Sequence, residues 1–249
     1  MSLLAKLFGR PAPPSATTPA PKINRSAVIK AYQEHCFPVL QAHGFDAFEG
    51  TAAWRYRDKV IDAVDITFFP SAKTRQWGIS QKSFSLSGGV FFPFVPHIGP
   101  ASPVGKDGRL RPPEIACTDR KSPLRRMKQK NNQIPNIWHV ADDGANLQAV
   151  MAEVRVVLEG ELIPHLNAQG DLRKKLAELI QLRMTLKQFN PGGFYHLGFF
   201  ALELGEWQLA KENLQKALAT GFYGDPELAN PTEDQIRAAI HKAEDMLKA

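Results

Sequence analysis

The chain has 249 residues, 43% of them hydrophobic, and a formal net charge of +6. That length suits two modest domains and that apolar share suits a real core, which excludes a wholly disordered chain. No apolar run approaches the roughly 18 residues that span a bilayer, so no stable membrane insertion is expected, and Cys36 and Cys117, without metal-type spacing around them, read as two reduced thiols of a cytoplasmic protein.

Residues 1–10 carry Leu3, Leu4, Leu7 and Phe8 but are interrupted by Lys6. They are too short and too broken for a secretory signal and read as a frayed terminus, with a small amphipathic turn on a membrane surface as the alternative. Residues 11–22, PAPPSATTPAPK, form a linker with nothing to pack. Asn24 or Ser26 can cap a helix carrying Ile29, Tyr32, Cys36 and Leu40, which Pro38 is expected to bend or split and Gly44 to end. The period then changes from helical to alternating. Trp54 and Tyr56 alternate with Arg55 and Arg57, which predicts a half-buried strand. Residues 60–69 suit a central antiparallel strand on which Asp62 and Asp65, an odd number apart, face opposite ways. Residues 77–80 and 84–92 are further strand candidates, with Ser83, Ser85 and Ser87 on a solvated face. No glycine-framed nucleophile turn surrounds those serines, and Gly88-Gly89 lacks the lysine and helix of a phosphate loop.

Residues 93–135 form a long loop rich in proline, glycine and charge, longer than ordinary connections. It holds nine basic side chains, Lys106, Arg109, Arg111, Arg120, Lys121, Arg125, Arg126, Lys128 and Lys130, against Asp107, Glu114 and Asp119. That excess equals the net charge of the whole chain, so the remainder is balanced. Residues 137–140 resume an extended pattern. A helix opening at Asp142 or Asp143 then carries Leu147, Val150, Met151, Val154, Val157 and Leu158 to Leu162 or beyond, with Pro164 near its end.

The order of these features carries a resemblance. A helix closing in Gly44-Phe45 precedes the aromatic strand Trp54-Arg55-Tyr56 and the hydrophobic strand of residues 60–69. Then come Phe84, Leu86 and Gly88 in a Phe-x-Leu-x-Gly strand, the basic segment, Trp138, and a long helix ending Leu162-Ile163-Pro164-His165-Leu166. Residues 24–167 thus resemble a bacterial α+β domain family of unknown function, some of whose members occur near toxin and immunity genes. The resemblance implies a fold and carries no activity or catalytic residues to this chain.

Beyond residue 168 the pattern is wholly helical. Residues 171–189 place Leu172, Leu176, Leu179, Ile180 and Met184 on one face, and Asn190 to Gly193 stop that helix. Around Gly205, Phe194, Leu197, Phe200, Ala201 and Leu204 share one helix face, and Trp207, Ala210, Leu214, Ala217 and Leu218 share another. Gly205 sits where a helix end wants a left-handed residue. Leu197-Gly198, Gly205, Ala210 and Ala217 resemble a tetratricopeptide repeat, with Phe194 as its first aromatic, Leu214 in place of its second and Phe222 in place of its closing proline. One repeat cannot bury its own apolar face, so the hairpin of residues 194–218 reads as a packing module or a peptide-binding surface. Thr232 with Gln235 makes a capping box for a last helix carrying Ile236, Ala239, Ile240, Ala243 and Leu247.

The expected fold is therefore α+β. Residues 1–22 are leader and linker, residues 23–168 an antiparallel sheet with flanking helices, and residues 169–249 an all-α, tetratricopeptide-like extension. No catalytic or metal-ligating constellation and no cofactor motif is read from the residues. The function expected is that of a non-enzymatic, immunity-like protein-binding protein whose basic loop meets an acidic protein partner, through Arg120, Arg125, Arg126, Lys128 and Trp138. The alternatives are nucleic-acid binding through the same loop and an enzyme with an unrecognised site.

Overall fold

The computed structural model describes residues 22–97, 102–123, 127–128, 133–134, 136–185, 191–221 and 232–249. The expected leader and linker, Lys22 apart, lie outside them. The fold is α+β with a helical C-terminal part, as the sequence predicts. Among the described residues no helix is long and apolar enough to cross a membrane.

Helix α1 (Arg25–Ala42) opens on Asn24, whose side chain accepts the Ala27 amide at 2.9 Å. Its buried face runs through Val28, Tyr32, Cys36 and Leu40, with Val28 rather than Ile29 pointing inward. Pro38 does not split it: the helix runs on to Ala42, losing only the amide that would have bonded to the Glu34 carbonyl. Strands β1 (Ala47–Glu49), β2 (Ala52–Arg57), β3 (Val60–Phe68) and β4 (Phe84–Phe91) follow, interrupted by a short helix α2 (Ser71–Trp77). The strand expected at residues 77–80 does not form: the helix ends at Trp77, and residues 78–80 are its cap and irregular chain. Pro70-Ser71 opens it and Gly78 caps it, turn chemistry that the apolar pattern concealed. With β5 (Asp119–Lys121) these strands make an antiparallel sheet in the order β1-β2-β3-β4-β5. A second, two-stranded ribbon pairs β6 (Met127–Lys128) with β7 (Gln133–Ile134).

Both faces of the sheet are covered. On the inner face Ala53, Val64, Ile66, Leu86 and Val90 meet α1 and helix α3 (Leu147–Val157) in the main core. On the outer face Trp54, Ile61, Ala63, Phe91 and Cys117 form a second cluster under residues 102–118. The serine face is therefore not solvated. Ser83 is fully buried and accepts the Val140 amide, and Ser87 is buried where Glu114 of residues 102–118 bonds to it. Cys36 and Cys117 are free and buried in different clusters on opposite sides of the sheet, so they cannot pair.

The helix expected from Asp142 or Asp143 begins at Leu147 instead, after a turn in which the Asn146 side chain accepts the Ala141 amide and donates to the His139 carbonyl. A π-helical stretch, Leu158–Leu162, joins α3 to α4 (Ile163–Ala168). Pro164 explains the widened turn, since it has no N–H for the Gly160 carbonyl.

Helices α5 (Leu172–Thr185), α6 (Pro191–Glu203), α7 (Trp207–Ala219) and α8 (Thr232–Lys248) pack in sequence. On α5 only Leu176 is buried, and Met184 of the expected apolar face stays exposed. They share the main core with the sheet rather than forming one of their own. Phe200 lies edge-on to Phe92 and Phe94, at 4.7 and 5.1 Å between ring centres. Tyr195 donates to the Pro96 carbonyl at 2.6 Å. Lys59 pairs with Glu203, and Lys175 with Asp119.

The α6–α7 hairpin uses two glycines for different reasons, Gly198 within α6 and Gly205 in the turn. A Cβ on Gly198 would sit 2.6 Å from Leu214 Cγ and 3.1 Å from its backbone nitrogen, so only glycine admits this approach of the two helices. Gly205 has φ +79°, and the Glu206 amide reaches back to the Ala201 carbonyl at 2.8 Å, closing the helix in a left-handed cap.

Gly205→Val should lower stability by about 1–2 kcal/mol in chemical denaturation. The cost is conformational, because an added Cβ would meet the Trp207 ring only at 3.6 Å, ordinary van der Waals distance. An unchanged midpoint would remove Gly205 as the cap.

Candidate functional site

Alternation on β2 predicts arginines in solvent. The register places Arg55 opposite Asp62 instead, on the inner face, and both are buried. Arg55 Nε donates to Asp62 Oδ2 at 2.7 Å and Arg57 donates to Oδ1 at 2.6 Å. Arg55 also donates to the His43 carbonyl at the end of α1 and to Asn167 in α4, and Arg57 to the Leu166 carbonyl. The Arg55 guanidinium lies 5.1 Å from the centre of the Phe45 ring. Every part of Asp62 is held, so the cluster is built for cohesion of sheet and helices rather than for chemistry.

The outer face is different. Trp54 Nε1 donates to the Pro112 carbonyl at 2.8 Å, and the Tyr56 hydroxyl to the Leu110 carbonyl at 2.7 Å. Arg109 lies over Tyr56 and Arg111 over Trp54, at 4.2 and 4.9 Å from the ring centres. Arg109 pairs with Asp46 and Asp107, and Arg111 with Asp107. Hydrogen bonds from Arg109, joined by Arg111, hold the Asp107 carboxyl down at about 2. These contacts clamp residues 102–116 to the sheet and leave a cleft of about 360 Å³ lined by Trp54, Asp65, Pro103, Arg111, Pro113 and Glu114.

Asp65 is half-buried there. Burial pushes its pKa up, against the hydroxyl of Thr51 and the amide of Ile66, which favour the charged form. Burial also raises Glu114, opposed by the Arg120 charge and a hydrogen bond with Ser87, while the charge of Asp65 raises it further. Neither carboxyl has an ion-pair partner within 4 Å among the described residues. Two carboxyls with raised pKa values in one cleft can hold a cation or exchange a proton.

A second cleft of about 260 Å³ lies where the sheet meets α6, lined by Cys117, His97, Tyr195 and His196. Burial lowers the His196 pKa and raises that of Cys117, so the thiol is not primed as a nucleophile. Among the described residues no group of His, Cys, Asp and Glu side chains could hold a metal ion.

The residues singled out from the basic loop scatter. Arg120 is exposed on the edge strand β5, opposite Gly89. Lys128 falls in β6, and Arg125 and Arg126 lie outside the described residues. Trp138 is not at the surface: it is 2% exposed and stacked on Phe84, with the rings at 9°. In place of the expected strand it makes an isolated bridge to Phe84 of β4 and fills the core, so it offers no ring face to a partner. The pairing of Asp65 with Glu114 escaped the sequence, which carries only the opposite facing of Asp62 and Asp65. Glu114 arrives 49 positions later on a 3-10 turn, Glu114–Ala116, whose place depends on the whole clamp.

Asp62→Ala should cost about 3–5 kcal/mol in denaturation experiments, because it leaves the buried Arg55 and the half-buried Arg57 without their carboxylate. Asp65→Asn should do the opposite at neutral pH. The folded state of the wild type binds the Asp65 proton more tightly than the unfolded state, so ionisation penalises folding. The penalty is absent below the unfolded pKa, grows as pH rises towards the folded value, and persists above it. The Asn variant should therefore match wild type near pH 3 and exceed it at pH 8, as thermal midpoints at both values will show. Comparison of the chain with protein-family models, with curated proteins and with solved structures finds no match.

Proposed function

We propose that the protein is a non-enzymatic, immunity-like protein-binding protein that meets an acidic protein surface with the basic stretch of residues 119–130. One observation carries this reading: the internal clamps use Arg109 and Arg111 and leave Arg120 exposed on a sheet edge. Lys106 apart, the loop's remaining basic charge falls on Arg120, Lys121, Arg125, Arg126, Lys128 and Lys130. The acid among them, Asp119, already pairs with Lys175 at 2.7 Å. Arginine grips carboxylates at two points, and a basic strip speeds encounter with an acidic surface. The tetratricopeptide-like hairpin serves as a packing module in this reading, since its Tyr195 and Phe200 are spent on the sheet. Stacking on single strands needs an accessible aromatic, and Trp138 is enclosed, which weighs against nucleic acid.

The test compares wild type with the Arg120→Ala, Arg125→Ala, Arg126→Ala triple variant. Both are titrated with a polyglutamate peptide and with a single-stranded oligonucleotide of equal charge, at low and high salt. The triple variant should keep its fold and bind the peptide roughly tenfold more weakly at low salt, a gap that closes as salt screens exposed charge. Equal binding by both proteins removes the strip from the interface. Tighter binding of the oligonucleotide than of the peptide by wild type replaces the acidic protein with nucleic acid.

A further inference from the structure

Strand β3 carries two aspartates in opposite electrostatic states. Asp62, on the inner face, is held by two guanidiniums at 2.7 and 2.6 Å. Asp65, three residues on and on the outer face, has no cation within 4 Å among the described residues, and its Oδ1 is buried without a hydrogen-bond partner. Glu114 stands beside it in the same cleft, again without an ion-pair partner among the described residues, and Glu49 adds a third carboxylate. Arg111 lines one wall, with its charge shared with Asp107, its guanidinium over Trp54, and its Nε and Nη1 buried without hydrogen-bond partners among the described residues. Three carboxyls against this one guanidinium leave the formal charge of the lining negative. The other walls are apolar: Trp54, Pro103, Pro113, and Val104, which is 61% exposed. The volume falls in the range of small-ligand sites.

We propose that this cleft binds a small organic cation, an amine or guanidinium on a short apolar stem, whose charge pairs with Asp65 and Glu114 while its stem lies along Trp54 and the prolines. The ligand supplies to Asp65 the countercharge that Arg55 and Arg57 supply to Asp62. Desolvated carboxylates without a cation are costly, and a cation that enters the cleft relieves that cost. Binding is lost as pH falls, because protonation of Asp65 and Glu114 removes the attraction. The groups that face them are Thr51 and the Ile66 amide at Asp65, Ser87 and Arg120 at Glu114, and Arg111 and Glu49 across the cleft.

Calorimetric titration of the full chain tests this with butylguanidinium, its uncharged isostere butylurea, and an arginine-containing peptide blocked at both ends. Butylguanidinium should bind at least tenfold more tightly than butylurea. Glu114→Gln and Asp65→Asn should each weaken it at least tenfold, with circular dichroism unchanged. Glu114 sits on a surface turn, so its variant gives a second reading independent of Asp65→Asn. Tighter binding of the peptide identifies the source as a protein side chain, and tighter binding of the free cation identifies a small molecule. Either supports the site. The Arg120, Arg125 and Arg126 triple variant should bind butylguanidinium no more weakly than wild type, which separates this cleft from the basic strip. Equal affinity for butylurea, no binding at millimolar butylguanidinium, or full affinity in Glu114→Gln overturns the proposal.

Discussion

The buried grip of Arg55 and Arg57 on Asp62 is the interaction on which the rest of the structure depends. It joins the centre of the sheet to the end of α1 through the His43 carbonyl and to α4 through Asn167 and Leu166. Burying Asp62 and Arg55, with Arg57 half-buried beside them, is worthwhile only if the charges are paired and hydrogen-bonded. The geometry meets that demand at the carboxylate, where both oxygens are taken. The same demand fixes the register of β2 against β3. A slip by one residue would turn both arginines to the outer face and Trp54 inward.

Covering the outer face falls to a segment that contains little regular structure. Residues 102–118 manage it with no more than the short 3-10 turn at Glu114–Ala116, because the sheet itself offers the fastenings. Indole and phenol groups donate to backbone carbonyls, and guanidiniums lie over the same rings. Asp107 and Asp46 then neutralise those guanidiniums. Prolines suit such a segment, since each removes a backbone donor that would otherwise need a partner. The cleft beside Asp65 is what this covering leaves open.

The helical extension continues the main core rather than sitting beside it. Phe200 and Tyr195 project from α6 into the end of the sheet, and the close approach at Gly198 ties α7 to the same body. The α6–α7 hairpin cannot bury its apolar faces alone, and α5 packs against it on one side and α8 on the other.

Much of the fold was legible in the sequence because it follows from covalent geometry and local chemistry. The α+β class, the strands at residues 52–57, 60–68 and 84–91, the cap at Asn24 and the left-handed turn at Gly205 all follow from periods and from residues with restricted or special backbone freedom. The opposite facing of Asp62 and Asp65 was legible for the same reason, since side chains alternate along any strand. Which face meets water was not. Alternation marks two faces but does not say which is wet, and a charged face goes inside when it carries its own countercharges. Nor could the sequence show that the basic loop spends Arg109 and Arg111 on its own fastening, that Trp138 fills the core, or that Glu114 joins Asp65. Those outcomes rest on contacts such as Trp54 with Pro112 and Arg55 with Asn167, 58 and 112 positions apart. Only the folded chain brings such groups together, so only tertiary structure decides which charges cancel and which are left for a partner.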